Sequence, residues 1–476
     1  MSIPELVLLV FQQASPRTWP TLCLLSRTCN EIVQPHIWKT ISCDTIGTIW
    51  KIQSHIRKHA HSVETLKIDP LSGPCISDFL QEISHLQALP NITSLSLPHI
   101  KVSLNHLSAL LAMSPQLKEI DIRGCILHKH ALEVLAPCRK IESMAFSHEN
   151  VLLSPEFDPS NAFRPWTRLR QLSITIYPYT VTGLSAHQLE EAISKSQLDL
   201  ASLELSTPYW KVDTIAGIIM RNPNLKRLAL INCNLSEQDW TPVLPSLANL
   251  HSITFHSSEP CTFESPLRVT QACPLIQHLD LKGFHIFGKQ FKSLAETATA
   301  LTSLTLDFCQ FTPSGLRLIL EQCAGLESLQ VRTLSGLGAV KGFFKEGPLA
   351  CSKLQELIIH GIIWTQGENS EEIAKKSLET MWTTLKKFTR LRVLTLRHVL
   401  RTDSNGLGIH WFGAPSSLEW LCLTGHVSWT EQDLAWIAEQ LPRLDVLEYD
   451  SKEMDTTLLS WLQKNRPDVR LIPAKS

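Results

Sequence analysis

Leu225-Lys-Arg-Leu228-Ala-Leu230-Ile-Asn-Cys233 is the stretch that decides how this chain folds. It opens with an aliphatic residue, two others, an aliphatic, one other and an aliphatic, and that phrase recurs. Val63-Glu-Thr-Leu66-Lys-Ile68 is the first clear copy and Leu444-Asp-Val-Leu447-Glu-Tyr449 the last. Between them the phrase starts at Ile92, Leu117, Ile141, Leu169, Leu200, Leu225, Leu250, Ile276, Leu301, Leu326, Leu354, Leu391 and Leu418, which makes fifteen copies spaced 24 to 37 residues apart. Within each copy the aliphatics alternate with other residues, the period of a half-buried strand. Leu228 and Leu230 are therefore expected to point inward, and Arg227, Ala229 and Ile231 outward. One such strand cannot cover its own apolar side, so neighbours must stack into a parallel sheet, and a period in the twenties marks a solenoid.

The other half of each repeat reads as helix. Leu107-Ser-Ala-Leu110-Leu111-Ala-Met113 and Leu316-Arg-Leu318-Ile319-Leu320 carry apolar residues at helical spacing and run into Ser114-Pro115 and Cys323-Ala-Gly325. Strand, turn, helix and next strand make an α/β solenoid, with a curved parallel sheet on its concave side and helices on its convex side. Cys125, Cys233 and Cys309 each lie three residues after the last aliphatic of a phrase, and Cys138, Cys273, Cys323 and Cys351 three residues before the next one begins. Both are buried turn positions in the cysteine-containing leucine-rich repeats that this sequence resembles. These thiols read as small buried hydrophobes rather than nucleophiles.

Hydrophobic residues make up 43% of the 476 and charged residues 19%, an ordinary folded composition. Lys plus Arg is 44 against 45 for Asp plus Glu, so no field steers the chain toward nucleic acid or an anionic membrane. The opening Met1-Ser-Ile-Pro-Glu-Leu-Val-Leu-Leu-Val-Phe11 is short, and it has Glu5 where a signal peptide carries positive charge. No stretch is long enough to span a bilayer. Thirteen cysteines, an odd number, fit reduced thiols, so a cytoplasmic or nuclear location is expected.

The period breaks at 147–167, at the glycine-rich 333–347 and at 362–388, where Glu371 and Glu372 precede Lys375 and Lys376 by four residues on a solvated helix face. Such insertions are partner contacts or tolerated surface loops. Gly336-Leu-Gly338-Ala-Val-Lys-Gly342 has one residue too many for a dinucleotide fingerprint. His128-Lys-His130 lacks the companion ligands of a metal site. No serine sits in a Gly-x-Ser-x-Gly elbow. The expectation is no enzyme, no cofactor and no metal.

The segment before about residue 60 has no copy of the phrase. Ser2-Ile-Pro4-Glu5 reads as a capping box with a proline in the first turn, and Ser15-Pro16 ends that helix. Thr18 caps a second helix, and a third runs to about Val33, where Pro35 is expected to stop it. Ile3-Pro4-Glu5-Leu6, Val10-Phe11, Leu22-Cys-Leu-Leu25-Ser26-Arg27 and Ile37-Trp38 resemble an F-box, with Ile3, Ser26 and Cys29 where that family commonly has Leu, Cys and Trp. The resemblance covers residues 1–43, leaving 44–62 as a helical connector and 63–476 as the solenoid. It implies docking on the Skp-type adaptor of a cullin–RING ubiquitin ligase through Ile3, Pro4, Leu6, Phe11, Leu22, Leu25 and Trp38. Helices that merely cap the first repeat are the other reading.

A solenoid holds another macromolecule, so the outward strand positions form the expected working surface. Among them Lys282, Arg332, His360, Arg397 and Trp420 are the candidate substrate contacts. Trp420 is expected beside Arg397 as a binding hot spot, or else packed on a neighbouring strand. Their mixed signs point to a protein partner. The chain thus reads as an F-box substrate receptor, or alternatively as a leucine-rich scaffold with a helical cap and no ligase link.

Overall fold

The computed structural model describes residues 23, 26–43, 48, 52, 56, 58–68, 89–100, 102–125, 131–147, 163–176, 189, 191–193, 195–196, 198–206, 212–233, 240–332, 343–344, 347–360, 371–401, 409–413, 417–426, 429–450 and 454–474. The chain forms two compact units, Met1–Leu225 and Lys226–Ser476.

In the first unit the strands are β1 (Thr40–Cys43), β2 (Thr65–Ile68), β3 (Ser94–Ser96), β4 (Glu119–Ile122), β5 (Ser143–Ser147), β6 (Gln171–Thr175) and β7 (Ser202–Ser206). They pair in parallel in chain order. Phrase stacks on phrase in register, so Ile41, Leu66, Leu95, Ile120, Met144, Leu172 and Leu203 form one buried ladder. Each such side chain stabilises by about 1.5–3 kcal/mol. The helices described here are α1 (Arg27–Ile37), α2 (Leu104–Ala112), α3 (Ala131–Leu135) and α4 (Val212–Met220). After α4, buried Asn222 donates from Nδ2 to the Ile218 carbonyl at 2.7 Å and accepts from the Leu200 amide at 2.9 Å, fixing the helix end to the entry of β7.

Two boundaries differ from the sequence reading. Pro35 lies inside α1, which continues to Ile37, and the Trp38 amide still bonds the Gln34 carbonyl at 3.1 Å. A proline in the last turn removes only its own N–H, so the helix closes past it. The sheet also starts before the first phrase, because β1 pairs with β2 from within the segment assigned to the helical unit. With two inward residues, Ile41 and Cys43, β1 is too short to spell the phrase.

In the second unit the strands are β8 (Arg227–Ile231), β9 (Ser252–Thr262), β10 (His278–Ile286), β11 (Ser303–Asp307), β12 (Gln310–Phe311), β13 (Ser328–Arg332), β14 (Glu356–His360), β15 (Val393–Arg401), β16 (Trp420–His426), β17 (Val446–Tyr449) and β18 (Arg470–Pro473). All the described pairings are parallel, and Leu228, Ile253, Leu279, Leu304, Leu329, Leu357, Leu394, Leu421 and Leu447 stack in one ladder. Burial in β8 alternates as the phrase predicts, with Leu228 and Leu230 covered and Arg227, Ala229 and Ile231 outward. Every one of the fifteen phrases carries a strand. Both units are leucine-rich-repeat solenoids.

The helices of the second unit are α5 (Glu264–Gln271), α6 (Gly288–Thr297), α7 (Pro313–Gln322), α8 (Glu371–Leu385), α9 (Glu431–Gln440) and α10 (Thr456–Asn465). Their starts are chemically specified. Thr312 caps α7 ahead of Pro313, Thr430 and Asp433 form a capping box on α9, and Asp455 caps α10. At the far end Arg466 donates to the carbonyls of Ala438, Leu441 and Leu444, so it satisfies the C-terminus of α9. The helix expected around Glu371 is α8, which buries Met381, Trp382, Thr384 and Leu385.

Candidate interaction surfaces on the open sheet faces

The alternate strand residues that do not enter the core form a second face of each sheet, open over much of its length but buried at Thr395, Cys422, Thr424, Val446 and Glu448 on β15 to β17. In the second unit the register sorts them into rows running across the strands. One row reads Ile231, His256, Lys282, Asp307, Arg332, His360, Arg397 and Thr424. It brings four of the five candidate contacts together, Lys282, Arg332, His360 and Arg397, over four inter-strand steps of about 4.8 Å each. Each sits six residues after the start of its own phrase, at Ile276, Leu326, Leu354 and Leu391, so the alignment is already present in the spacing.

Trp420 is not in this row. Its register partners are Val393 and Val446, whereas Arg397 lies opposite Thr424. The expected Trp420–Arg397 neighbourhood is therefore corrected: four residues of strand, about 13 Å, separate the two positions. Trp420 is half-buried at the start of β16.

Several row members are already paired within the chain, with one another or with outward residues of the adjacent row. Lys282 Nζ lies 3.7 Å from Asp307 Oδ2 and 5.1 Å from the centre of the Phe308 ring. His256 Nε2 sits 3.1 Å from Asp280 Oδ2. Arg397 Nη2 donates to Glu448 Oε1 at 2.5 Å, across the intervening strand β16. Glu448 is an outward residue four positions into its phrase, yet its side chain is only 8% exposed. Arg332 is exposed and has no side-chain ion pair or hydrogen bond among the described residues.

The open face of the first unit has different chemistry. Its rows are dominated by small hydroxyls: Ser94, Ser96, Ser143, Ser173 and Ser202, with Gln171 between them. They line a depression of about 330 Å³ together with Glu119, Asp121, Arg123 and Glu204. Arg123 grips Asp121 with two bonds, Nε to Oδ1 at 3.0 Å and Nη2 to Oδ2 at 2.7 Å, and reaches Glu204 Oε1 at 3.4 Å. The sequence reading does not single this surface out, because serines at outward strand positions carry no signal of their own.

Of the adaptor contacts implied by the F-box resemblance, Ile3, Pro4, Leu6, Phe11, Leu22 and Leu25 lie outside the described residues. Trp38 is described, and it is engaged within the chain. Its indole Nε1 donates to Gln34 Oε1 at 2.7 Å, and its ring stacks on His59 with centroids 4.8 Å apart. The insertions around 148–162, 333–342 and 361–370, the pair His128 and His130, and the glycine-rich Gly336–Gly342 also lie outside the described residues.

The turn cysteines sit where the phrase places them. Cys125, Cys138, Cys233, Cys273, Cys309, Cys323 and Cys351 are all buried and reduced. Burial pushes the thiols of Cys125, Cys273, Cys309 and Cys351 up to about 12, which leaves them protonated and unreactive. Among the described residues no three His, Cys, Asp or Glu side chains converge as a metal site would require.

No family model and no curated protein matches this sequence. Solved structures of similar fold include an internalin (InlF) of Listeria monocytogenes, 15% identical with a TM-score of 0.40, over 83% of this chain and 89% of that one. A leucine-rich-repeat protein of Leptospira interrogans is 16% identical with a TM-score of 0.42, over 90% of this chain and 99% of that one. A chain of the yeast Rad7 and Elc1 complex is 13% identical with a TM-score of 0.45, over 100% of this chain and 98% of that one. At such scores the fold assignment stands on this chain's own ladder of phrases.

Proposed function

We propose that this chain is the substrate-recognition subunit of a Skp–cullin–RING type ubiquitin ligase. The observation that carries the recognition half is the outward row of Lys282, Arg332, His360 and Arg397 on an open sheet face. Charged, partly exposed side chains held at strand spacing on a rigid sheet suit the surface of another protein. The interspersed Asp307 and Asp280 disfavour a polyanion. The ligase half rests on the F-box resemblance of residues 1–43, which docks the Skp-type adaptor and through it the cullin scaffold. Catalysis belongs to the partner subunits. This chain contributes proximity and orientation, and binds no cofactor, nucleic acid or membrane. Among the described residues no helix is long and apolar enough to cross a membrane. The proposed role places the protein in the cytoplasm or nucleus.

One observation favours the scaffold alternative. α1 runs through Trp38 into β1, which pairs with β2, and this supports a capping role for residues 26–43. A deletion that separates the two readings must therefore spare them and remove only residues 1–25. Purified Skp-type adaptor should bind the intact chain, and should not bind the 1–25 deletion or the Pro4→Ala/Leu6→Ala variant, while both variants keep their far-UV circular dichroism. Adaptor binding that is absent from the intact chain, or unchanged in the variants, refutes the ligase half.

A further inference from the structure

In six repeats the residue seven positions after the phrase start has a positive φ: His99, Gly124, Asn232, Gly283, Phe308 and Gly425, with φ between 50° and 126°. At His99, Asn232 and Phe308 the amide of this residue donates to a carbonyl in the next repeat, of Arg123, His256 and Arg332 respectively. Ile176, at the same place in its repeat, donates to the Ser206 carbonyl without a positive φ, so the bond alone does not impose the conformation. Glycine takes this conformation freely and asparagine and histidine tolerate it, but a bulky aromatic is an outlier there. Gly283 shows how tight the turn is, since a Cβ added there would meet the Ser257 carbonyl oxygen at 2.5 Å.

Phe308 thus accepts backbone strain that asparagine relieves at position 232, and its ring recovers little by burial. It is 41% exposed, among the few large hydrophobics left open in the described structure. Strain retained at an exposed aromatic is the pattern of a residue kept for what it touches. What surrounds the ring defines the ligand. Lys282 lies over one face, and Asp307 and Arg332 are consecutive in the row beside it. Lys282 engages Asp307, which leaves Arg332 as one exposed positive charge with no ion pair among the described residues. An aromatic next to an exposed arginine, on an otherwise polar open face, is the composition of an interface hot spot.

We infer that Phe308 and Arg332 form the anchor of the partner-binding face, and that the partner offers an acidic segment. One of its carboxylates pairs with Arg332, and an adjacent apolar side chain covers the Phe308 ring. This rests on the recognition half of the reading above and not on adaptor docking, so the two fail independently.

The test is a selection of random twelve-residue peptides displayed on phage against the intact chain. The strongest isolate is then titrated by fluorescence anisotropy against wild type, Phe308→Asn, Arg332→Glu and Arg332→Lys. The expected consensus places Asp or Glu beside an aromatic or aliphatic residue. Affinity should fall about tenfold or more in Phe308→Asn and Arg332→Glu, and Arg332→Lys should keep most of it. Phe308→Asn should melt roughly 2–4 °C above wild type, because it removes the strain. A basic consensus, no consensus, unchanged affinity in Phe308→Asn, or a lower melting temperature for that variant overturns the inference.

Discussion

Replacing Arg397 by alanine should destabilise the second unit, although Arg397 lies on the open face and was expected to contact a partner. Its guanidinium donates to Glu448 at 2.5 Å, and the Glu448 side chain is 8% exposed while that of Arg397 is 32% exposed. Removing the cation leaves a buried carboxylate with no counter-charge, a loss that runs to about 3–5 kcal/mol for a fully buried pair. Here Arg397 is one-third solvated, and its Nε is buried without a hydrogen-bond partner, so part of that loss is returned. A net cost of about 2–3 kcal/mol is expected for Arg397→Ala. Glu448→Gln keeps an amide oxygen to accept the bond and should cost about 1 kcal/mol. Replacing both partners together, Arg397→Leu with Glu448→Leu, should restore much of the stability, since neither charge is then stranded. Urea denaturation of wild type, Arg397→Leu, Glu448→Leu and the double variant closes a double-mutant cycle, and a coupling of about 1–3 kcal/mol is expected. A coupling below about 0.5 kcal/mol would mean that the pair is solvated like an ordinary surface bridge, and the reasoning would be wrong.

Thiols supply a pH prediction. Cys125, Cys273, Cys309, Cys351 and Cys422 are pushed by burial from 9.0 to about 12, so the folded state holds their protons more tightly than the unfolded state. Their stabilisation is complete below pH 9 and is lost as pH rises toward 12, at about 1.4 kcal/mol per pH unit for each thiol, readable in melting curves. Iodoacetamide at pH 8 should leave these five unmodified in the folded protein and label them in urea; labelling of the native state contradicts their burial. Leu304→Ala, in the middle of the second ladder, should cost about 2–5 kcal/mol by denaturation, and a loss under 1 kcal/mol would dispute the stacking of phrases. Gly283→Ala should be destabilising by about 1–3 kcal/mol, because φ is +80° and the added Cβ meets the Ser257 carbonyl; a neutral result would remove the steric basis of the turn.

The repeated phrase made most of the fold readable, because its inward residues, such as Leu228 and Leu230, repeat a physical requirement that each strand meets in the same way. The cysteines at the turns were readable for the same reason. What escaped is what a phrase cannot spell. β1 contributes two inward residues, and β18 ends at Pro473 with Leu471 only half-buried, so neither carries enough pattern to be counted. The four-residue offset between Trp420 and Arg397 follows from their places in successive phrases rather than from the adjacency of their strands. Counting each residue from its own phrase start, at Leu418 and Leu391, separates them at positions two and six. The strain at Phe308 was invisible for a different reason: the residue after the phrase carries no pattern that fixes the sign of φ, which differs between Phe308 and the equivalent Ile176.

The central claim is that one chain carries a partner on its open sheet face and a ligase adaptor at its N-terminus. The most direct test compares three forms in cells with the proteasome inhibited: wild type, Lys282→Glu/Arg332→Glu, and Pro4→Ala/Leu6→Ala. Proteins captured by each form would be quantified along with their ubiquitin modification. The account predicts that proteins captured by wild type disappear from the charge-reversed form. It predicts that the Pro4→Ala/Leu6→Ala form still captures them, with their ubiquitin modification lost. Capture that survives charge reversal, or ubiquitin modification that persists without Pro4 and Leu6, would contradict it.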